Sequence, residues 1–157
     1  MNQKPKEISE SKALSRMASQ CARREYSAFD IETKLQRYNL DKDTIERIIA
    51  QLKKEKFIDE LRFTRSFIKD KIRFNKWGKK KIEFGLRQKR VPESIVSEAF
   101  LDFTDEELNE SLHDLLQKKW KTIKGDSDYN RRNKLIRFGL SRGFDMNNIM
   151  KCIENIE

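Results

Sequence analysis

The feature that most narrows what this 157-residue chain can fold into is an apolar pattern that returns three times. Ile31, Leu35, Leu40 and Ile45 are followed by Ile82, Leu86, Val91 and Ile95, and then by Ile136, Leu140, Phe144 and Ile149. Each set opens with a four-residue step, which places two side chains on one face of a helix, and then crosses a short turn into a second helix. A further amphipathic segment precedes each pair, so the repeating unit is three helices with a period of about fifty residues. A unit that small buries too little surface to stand alone, which predicts that neighbours stack. The expected fold is all-α: three tandem three-helix repeats forming an elongated, curved, solenoid-like body. A polar tail occupies 1–10, and the repeats fall at 11–57, 58–102 and 103–157.

Local signals support the same division. Leu14, Met17, Ala18, Cys21 and Ala22 make the apolar stripe of the first helix. Ser27 with Asp30 opens the second, Asn39 is placed to end it in a left-handed stop, and Asp43 with Glu46 opens the third. Asp59 and Glu60 start the next unit, Trp77–Gly78 breaks it, and Pro92 suits a first helical position. Thr104 and Glu107 form a capping box ahead of Leu108, Leu112, Leu115 and Leu116, which are read as one helical face. Gly143 stops the penultimate helix and Asp145 caps the last. Leu35, Trp77, Leu86 and Leu140 are expected to be largely buried. Tyr26 and Trp77 each stand five residues before the first isoleucine of a repeat, which suggests that they close a repeat rather than stack on bases.

Charge is the second constraint. The formal net charge is +9, and it is segregated. Between Lys69 and Arg90 stand ten basic residues against Asp70 and Glu83 alone. From Pro92 to Gln117 there are eight acids and no lysine or arginine, and positive charge returns from Lys118 to Arg137. Such a pattern creates a directional field suited to a polyanion or to an acidic protein surface. The candidate binding residues are therefore Arg73, Lys76, Lys79, Lys80, Lys81, Arg87, Lys89 and Arg90.

Several function classes drop out. No apolar run is long enough to cross a bilayer, and Met1 to Glu10 is too polar for a secretory signal, so the expectation is a cytoplasmic protein with no membrane partner. Cys21 and Cys152 lack metal spacing and read as buried free thiols. His113, the single histidine, has no partner for catalysis or metal binding, and Lys79–Lys81 follow one glycine, unlike a phosphate loop. No enzyme, metal or cofactor is expected. Nor does the second repeat suit a helix-turn-helix reader, because Pro92–Leu101 carries Glu93 and Glu98 where a groove-binding helix needs cations.

Three stretches resemble the RecX family, regulators of the RecA recombinase: Arg24-Glu25-Tyr26-Ser27 leading to Ile31 and Leu35; Phe57-Ile58-Asp59-Glu60 with Arg62-Phe63 and Phe67-Ile68; and Leu140-Ser141-Arg142-Gly143-Phe144. The resemblance spans about Ala13 to Ile153. It implies a protein of three tandem three-helix repeats that binds in the groove of the RecA filament on single- or double-stranded DNA and limits filament growth, ATP hydrolysis and strand exchange; a monomer is expected, with self-association left open by the sequence. The residues alone leave two alternatives open: a sequence-nonspecific DNA-binding protein acting without RecA, and a helical interaction scaffold. The family often has glycine after the second helix of a repeat, where this chain has Asn39, Arg90 and Gly143. Arg90 is the unusual one, since a left-handed stop costs a residue with a Cβ about 1–2 kcal/mol.

Overall fold

The computed structural model describes residues 4–156 as an all-helical chain, with no strand among them beyond an isolated pairing of Lys6 with Tyr38. In the first repeat α1 (Glu10–Arg23), α2 (Ala28–Leu35) and α3 (Lys42–Lys54) enclose Ala13, Met17, Ile31, Leu35, Ile48 and Leu52. In the second, α4 (Glu60–Asp70) runs into a single π-helical turn, Lys71–Asn75, followed by α5 (Lys79–Gln88) and α6 (Glu93–Phe100) around Ile68, Ile82, Leu86 and Ala99. The last comprises α7 (Asp105–Leu108), α8 (Leu112–Trp120), α9 (Asp128–Ser141) and α10 (Met146–Ile153) around Leu116, Leu135, Phe144 and Ile149.

The caps explain most helix starts. Ser27 and Asp30 form a reciprocal capping box, as do Thr104 and Glu107, and Asp59 and Asp145 each accept from an amide three residues on. Two expected boundaries shift. The cap of α3 is Asp41, not Asp43; its carboxylate accepts from the Thr44 amide, and hydrogen bonding by Thr44, through its side chain first and then its amide, lowers the Asp41 pKa. Pro92 occupies the cap position itself, one residue before α6. Asn39 is not among the residues with positive φ; its amide donates to the Lys6 carbonyl instead, which ties the leading segment to the end of α2. Arg90 does take the left-handed conformation, at φ 55°.

The apolar register of the third repeat differs from the one the sequence suggests. Leu140 is 40% exposed and Ile136 only half-buried, whereas Leu135 and Gly139 face the core. With that change, and with buried Val96 in place of half-buried Ile95, the inward positions become Ile31–Leu35–Leu40–Ile45, Ile82–Leu86–Val91–Val96 and Leu135–Gly139–Phe144–Ile149, with the same spacing in all three repeats. Glycine hid the register because it adds nothing to a hydrophobic count. It is required by packing: a Cβ on Gly139 would stand 2.8 Å from Cδ1 of Ile149. Installing the leucine of the other repeats, Gly139→Leu, is expected to cost about 1–3 kcal/mol through overpacking. Leu140→Ala should change stability by under about 0.5 kcal/mol, as at an exposed site, and urea unfolding of the two variants measures both.

The first helix of the third repeat is also broken. Leu108 ends α7 and packs into the second repeat's apolar cluster, while Leu112, Leu115 and Leu116 belong to the third. Leu35 and Leu86 are fully buried, but Trp77 is half-buried. Cys21 is buried and Cys152 half-buried; both thiols are free, and burial pushes both pKa values up. In the first helix Ala22 lies exposed, outside the buried stripe.

Neighbouring repeats meet at helix ends, not through one continuous apolar core. The three clusters share no residue. The accessible surface of 10785 Å² exceeds the roughly 8,300 Å² of a compact monomer of 18.8 kDa, as an elongated body requires. At one joint the Ala28 amide donates to Glu60 Oε1 (2.7 Å), Arg62 donates to Glu25 (2.5 Å), and Lys89 Nζ donates to Asp30 (2.5 Å). At the other, α5 has no side-chain cap, and the Gly78 and Lys80 amides donate to the Arg142 and Gly143 carbonyls at 2.7 and 3.1 Å. Unsatisfied amides at one helix start thus receive the unsatisfied carbonyls of another helix end, a favourable meeting of opposite partial charges.

Candidate functional site

The second repeat builds its basic surface around the π-helical turn. Widening of α4 at Lys71–Asn75 ends in Lys76, left-handed at φ 56°, and leaves Arg73, Phe74 and Lys76 exposed. The chain then turns back through Trp77, whose indole lies beneath Lys71 and Lys81, with their Nζ atoms 4.7 and 4.9 Å from the ring centroid. Trp77 therefore packs against the repeat's core and carries two cations as well. Tyr26 does the same in the first repeat, beneath Arg24 and Lys34 at 4.9 Å each. Such contacts hold long cationic side chains in place at modest energetic gain, about 0.5–1 kcal/mol each at exposed sites.

The eight candidate cations do not form one uniform patch. Lys89 and Arg90 belong to the joint with the first repeat: Lys89 is paired with Asp30, and the Arg90 guanidinium sits 5.0 Å from the Phe29 ring centroid. That stacking accounts for an arginine at a left-handed stop, because the conformation aims its charge at the neighbouring repeat. Arg87 pairs with Glu93 at 2.9 Å, and this hydrogen bond with its opposite charge raises the Arg87 pKa further, so it stays a cation. Lys79 lies 5.1 Å from the Phe100 ring. Arg73, Lys76 and Lys80 are exposed and make no ion pair among the described residues.

Part of the charge segregation is answered inside the molecule. Arg73 and Lys69 line a hollow with Glu107 and Glu110, and Lys76 lines another with Glu110, Asp114 and Lys118. The acidic stretch that follows the basic one in sequence folds back beside it. Two further features lie outside the eight candidates. Phe74 and Phe84 are exposed on the basic repeat, and the third repeat adds exposed Lys118, Lys121, Lys124, Arg132, Lys134 and Arg137. The return of positive charge after Gln117 was the available signal for the second of these.

His113 is exposed, with only Asp114 nearby at 3.9 Å, and no cluster of three metal-ligating side chains occurs among the described residues. Nor is any described helix long and apolar enough to cross a membrane. What the surface can do is bind: it offers exposed cations, aromatic side chains and backbone-locked joints that fix their spacing.

Comparison with known proteins decides the family. Residues 59–99 match the second three-helix domain of RecX, and residues 105–153 match the third. The regulatory protein RecX of Prosthecochloris aestuarii is 34% identical over 147 residues, which covers 92% of this chain and 93% of that protein. The chain belongs to the RecX family. RecX of Clostridium perfringens is 32% identical over 133 residues, 82% of this chain but 62% of that longer protein. Among solved structures, RecX from Lactobacillus salivarius superposes with a TM-score of 0.81 at 23% identity, covering 94% of this chain and 96% of that one. A second crystal structure of regulatory protein RecX gives 0.84 at 24% identity, covering 92% and 73%. At those identities the structural likeness speaks for the fold, and the family assignment rests on the sequence matches.

Proposed function

We propose that this chain is a cytoplasmic, non-catalytic regulator of homologous recombination that binds the RecA–DNA filament and lowers its ATP hydrolysis and strand exchange. The observation that carries this is the RecX family membership over nearly the whole chain, joined to a surface that presents exposed cations and aromatic side chains. The division at 11–57, 58–102 and 103–157 is part of the same reading; three apolar clusters follow in that order, with Ile58 packed into the first and Phe103 and Leu108 into the second, so the cores overlap those bounds by a few residues. An elongated monomer whose repeats are set end to end can follow a helical filament groove. Contact to phosphate or to acidic protein side chains falls first to Arg73, Lys76 and Lys80, which are free of internal ion pairs among the described residues. Lys79, Lys81 and Arg87 flank them, while Lys89 and Arg90 act chiefly by fixing the first joint.

A titration tests the reading. Added to preformed RecA filaments, the chain is expected to reduce DNA-dependent ATP hydrolysis or shorten the filaments at concentrations below those that coat the DNA itself. Inhibition that begins only once bare DNA is saturated would instead make it a DNA-binding protein that acts by competition.

A further inference from the structure

The corrected register aligns the three repeats residue by residue, so the groove between the second and third helices can be compared across them. In the first repeat that groove is open and lined by Glu32, Gln36, Lys42 and Glu46 over Ile45 and Ile49. In the second repeat the residues equivalent to Gln36 and Lys42 are Arg87 and Glu93, whose ion pair spans it. In the third, the four equivalent positions are Ile136, Leu140, Met146 and Met150. Polar walls have been replaced by apolar ones at every position. Leu140, Met146 and Met150 remain 40%, 46% and 43% exposed. Solvent exposure of these apolar side chains on two facing helices has no structural return within the chain, and it is the form of a helix-accepting groove.

Charge indicates what fits there. Arg137 and Lys151 follow Ile136 and Met150 directly and both are exposed, and α9 carries no acid after Asp128; on the α10 side, Asp145 is engaged by Asn148 and Glu154 stands past the last turn of the helix. Two copies of this face brought together would oppose cation to cation, which disfavours symmetric self-association. Resting on the filament reading above, we propose that the α9–α10 groove of the third repeat grips an acidic amphipathic helix on the protein component of the filament. The second repeat's basic surface is then free to meet phosphate. The flexible methionines suit a groove that moulds to an apolar helical face.

The test uses the full chain, with RecA filaments on single-stranded DNA and bare single-stranded DNA as the two probes. Leu140→Gln with Met150→Gln removes apolar surface at exposed positions without adding charge. It should weaken filament binding about thirtyfold, as truncation of a central interface anchor does, with affinity for bare DNA and helix content unchanged. Arg137→Glu with Lys151→Glu should weaken filament binding about tenfold and make what remains less sensitive to salt than in the unsubstituted chain. Unaltered filament binding by the Gln pair overturns the groove assignment and leaves the filament reading intact. Failure of the unsubstituted chain to bind filaments overturns both. If only the Gln pair weakens binding, the acidic character of the partner is wrong. Concentration-dependent dimerisation that the Gln pair abolishes would assign the groove to a second copy and overturn the proposal.

Discussion

A Gly78→Ala variant is expected to uncouple the second and third repeats, with a loss of about 2–4 kcal/mol in urea unfolding, in the range of severe steric substitutions. The φ of Gly78 is −83°, which any residue adopts, so only space is at issue. A Cβ there would stand 2.5 Å from the Gly143 oxygen and 2.5 Å from the Phe144 amide nitrogen. Both are backbone atoms and have no rotamer to move to. The joint has to open, and with it go the Gly78–Arg142 and Lys80–Gly143 hydrogen bonds, each worth about 0.5–1.5 kcal/mol. Hydrogen exchange at the Gly78 and Lys80 amides should accelerate ahead of global unfolding, and the third repeat should melt separately, because its apolar cluster is its own. Leu140→Ala, at an exposed position near the same helix end, is the control. If Gly78→Ala unfolds in one transition at the unsubstituted midpoint, repeats two and three are not held by this contact.

That joint also shows how much could be read from the chain. Helix content, the three-fold repeat and most caps follow from local chemistry: Ser27 with Asp30, Asp59, Thr104 with Glu107 and Asp145 each signal a helix start within four residues. The third register did not follow, because the decisive inward residue is Gly139 and what marks it is a contact with Ile149 on another helix. Nor could composition show that Leu108 serves the second core while Leu112 serves the third, since both satisfy one helical period. The site was legible only as a charge window. Which of its cations are free depends on partners 59 residues away, as for Lys89 with Asp30, or on helix ends that meet only in the folded chain. Arg90 shows the limit well: its position after a helix announced a left-handed stop, but only the ring of Phe29 explains why an arginine is kept there.

Lys76→Gln combined with Lys80→Gln is expected to weaken filament binding roughly tenfold at physiological salt and to flatten its salt dependence by about one logarithmic unit for each phosphate no longer neutralised. These two are chosen because both are exposed and neither makes an ion pair among the described residues, so no formed pair is broken by their removal. Arg87 is a poor probe by comparison: its neutralisation would release Glu93 into the same surface and confuse diminished attraction with added repulsion. Glutamine is used in place of glutamate because Lys76 faces Glu110 and Asp114 across a hollow, where a third carboxylate would disturb the fold. Helix content should stay constant, since Lys80 contributes its amide to the joint and not its side chain. Lys6 in the leading segment and Lys12 in α1, both exposed and far along the chain, serve as controls when changed to glutamine together. If that pair lowers affinity and slope as much as Lys76 and Lys80 do, the filament senses total charge. If affinity falls while the slope stays unchanged, the lysines do not neutralise phosphate and the phosphate assignment is wrong, because counterion release would then be absent where binding energy disappears.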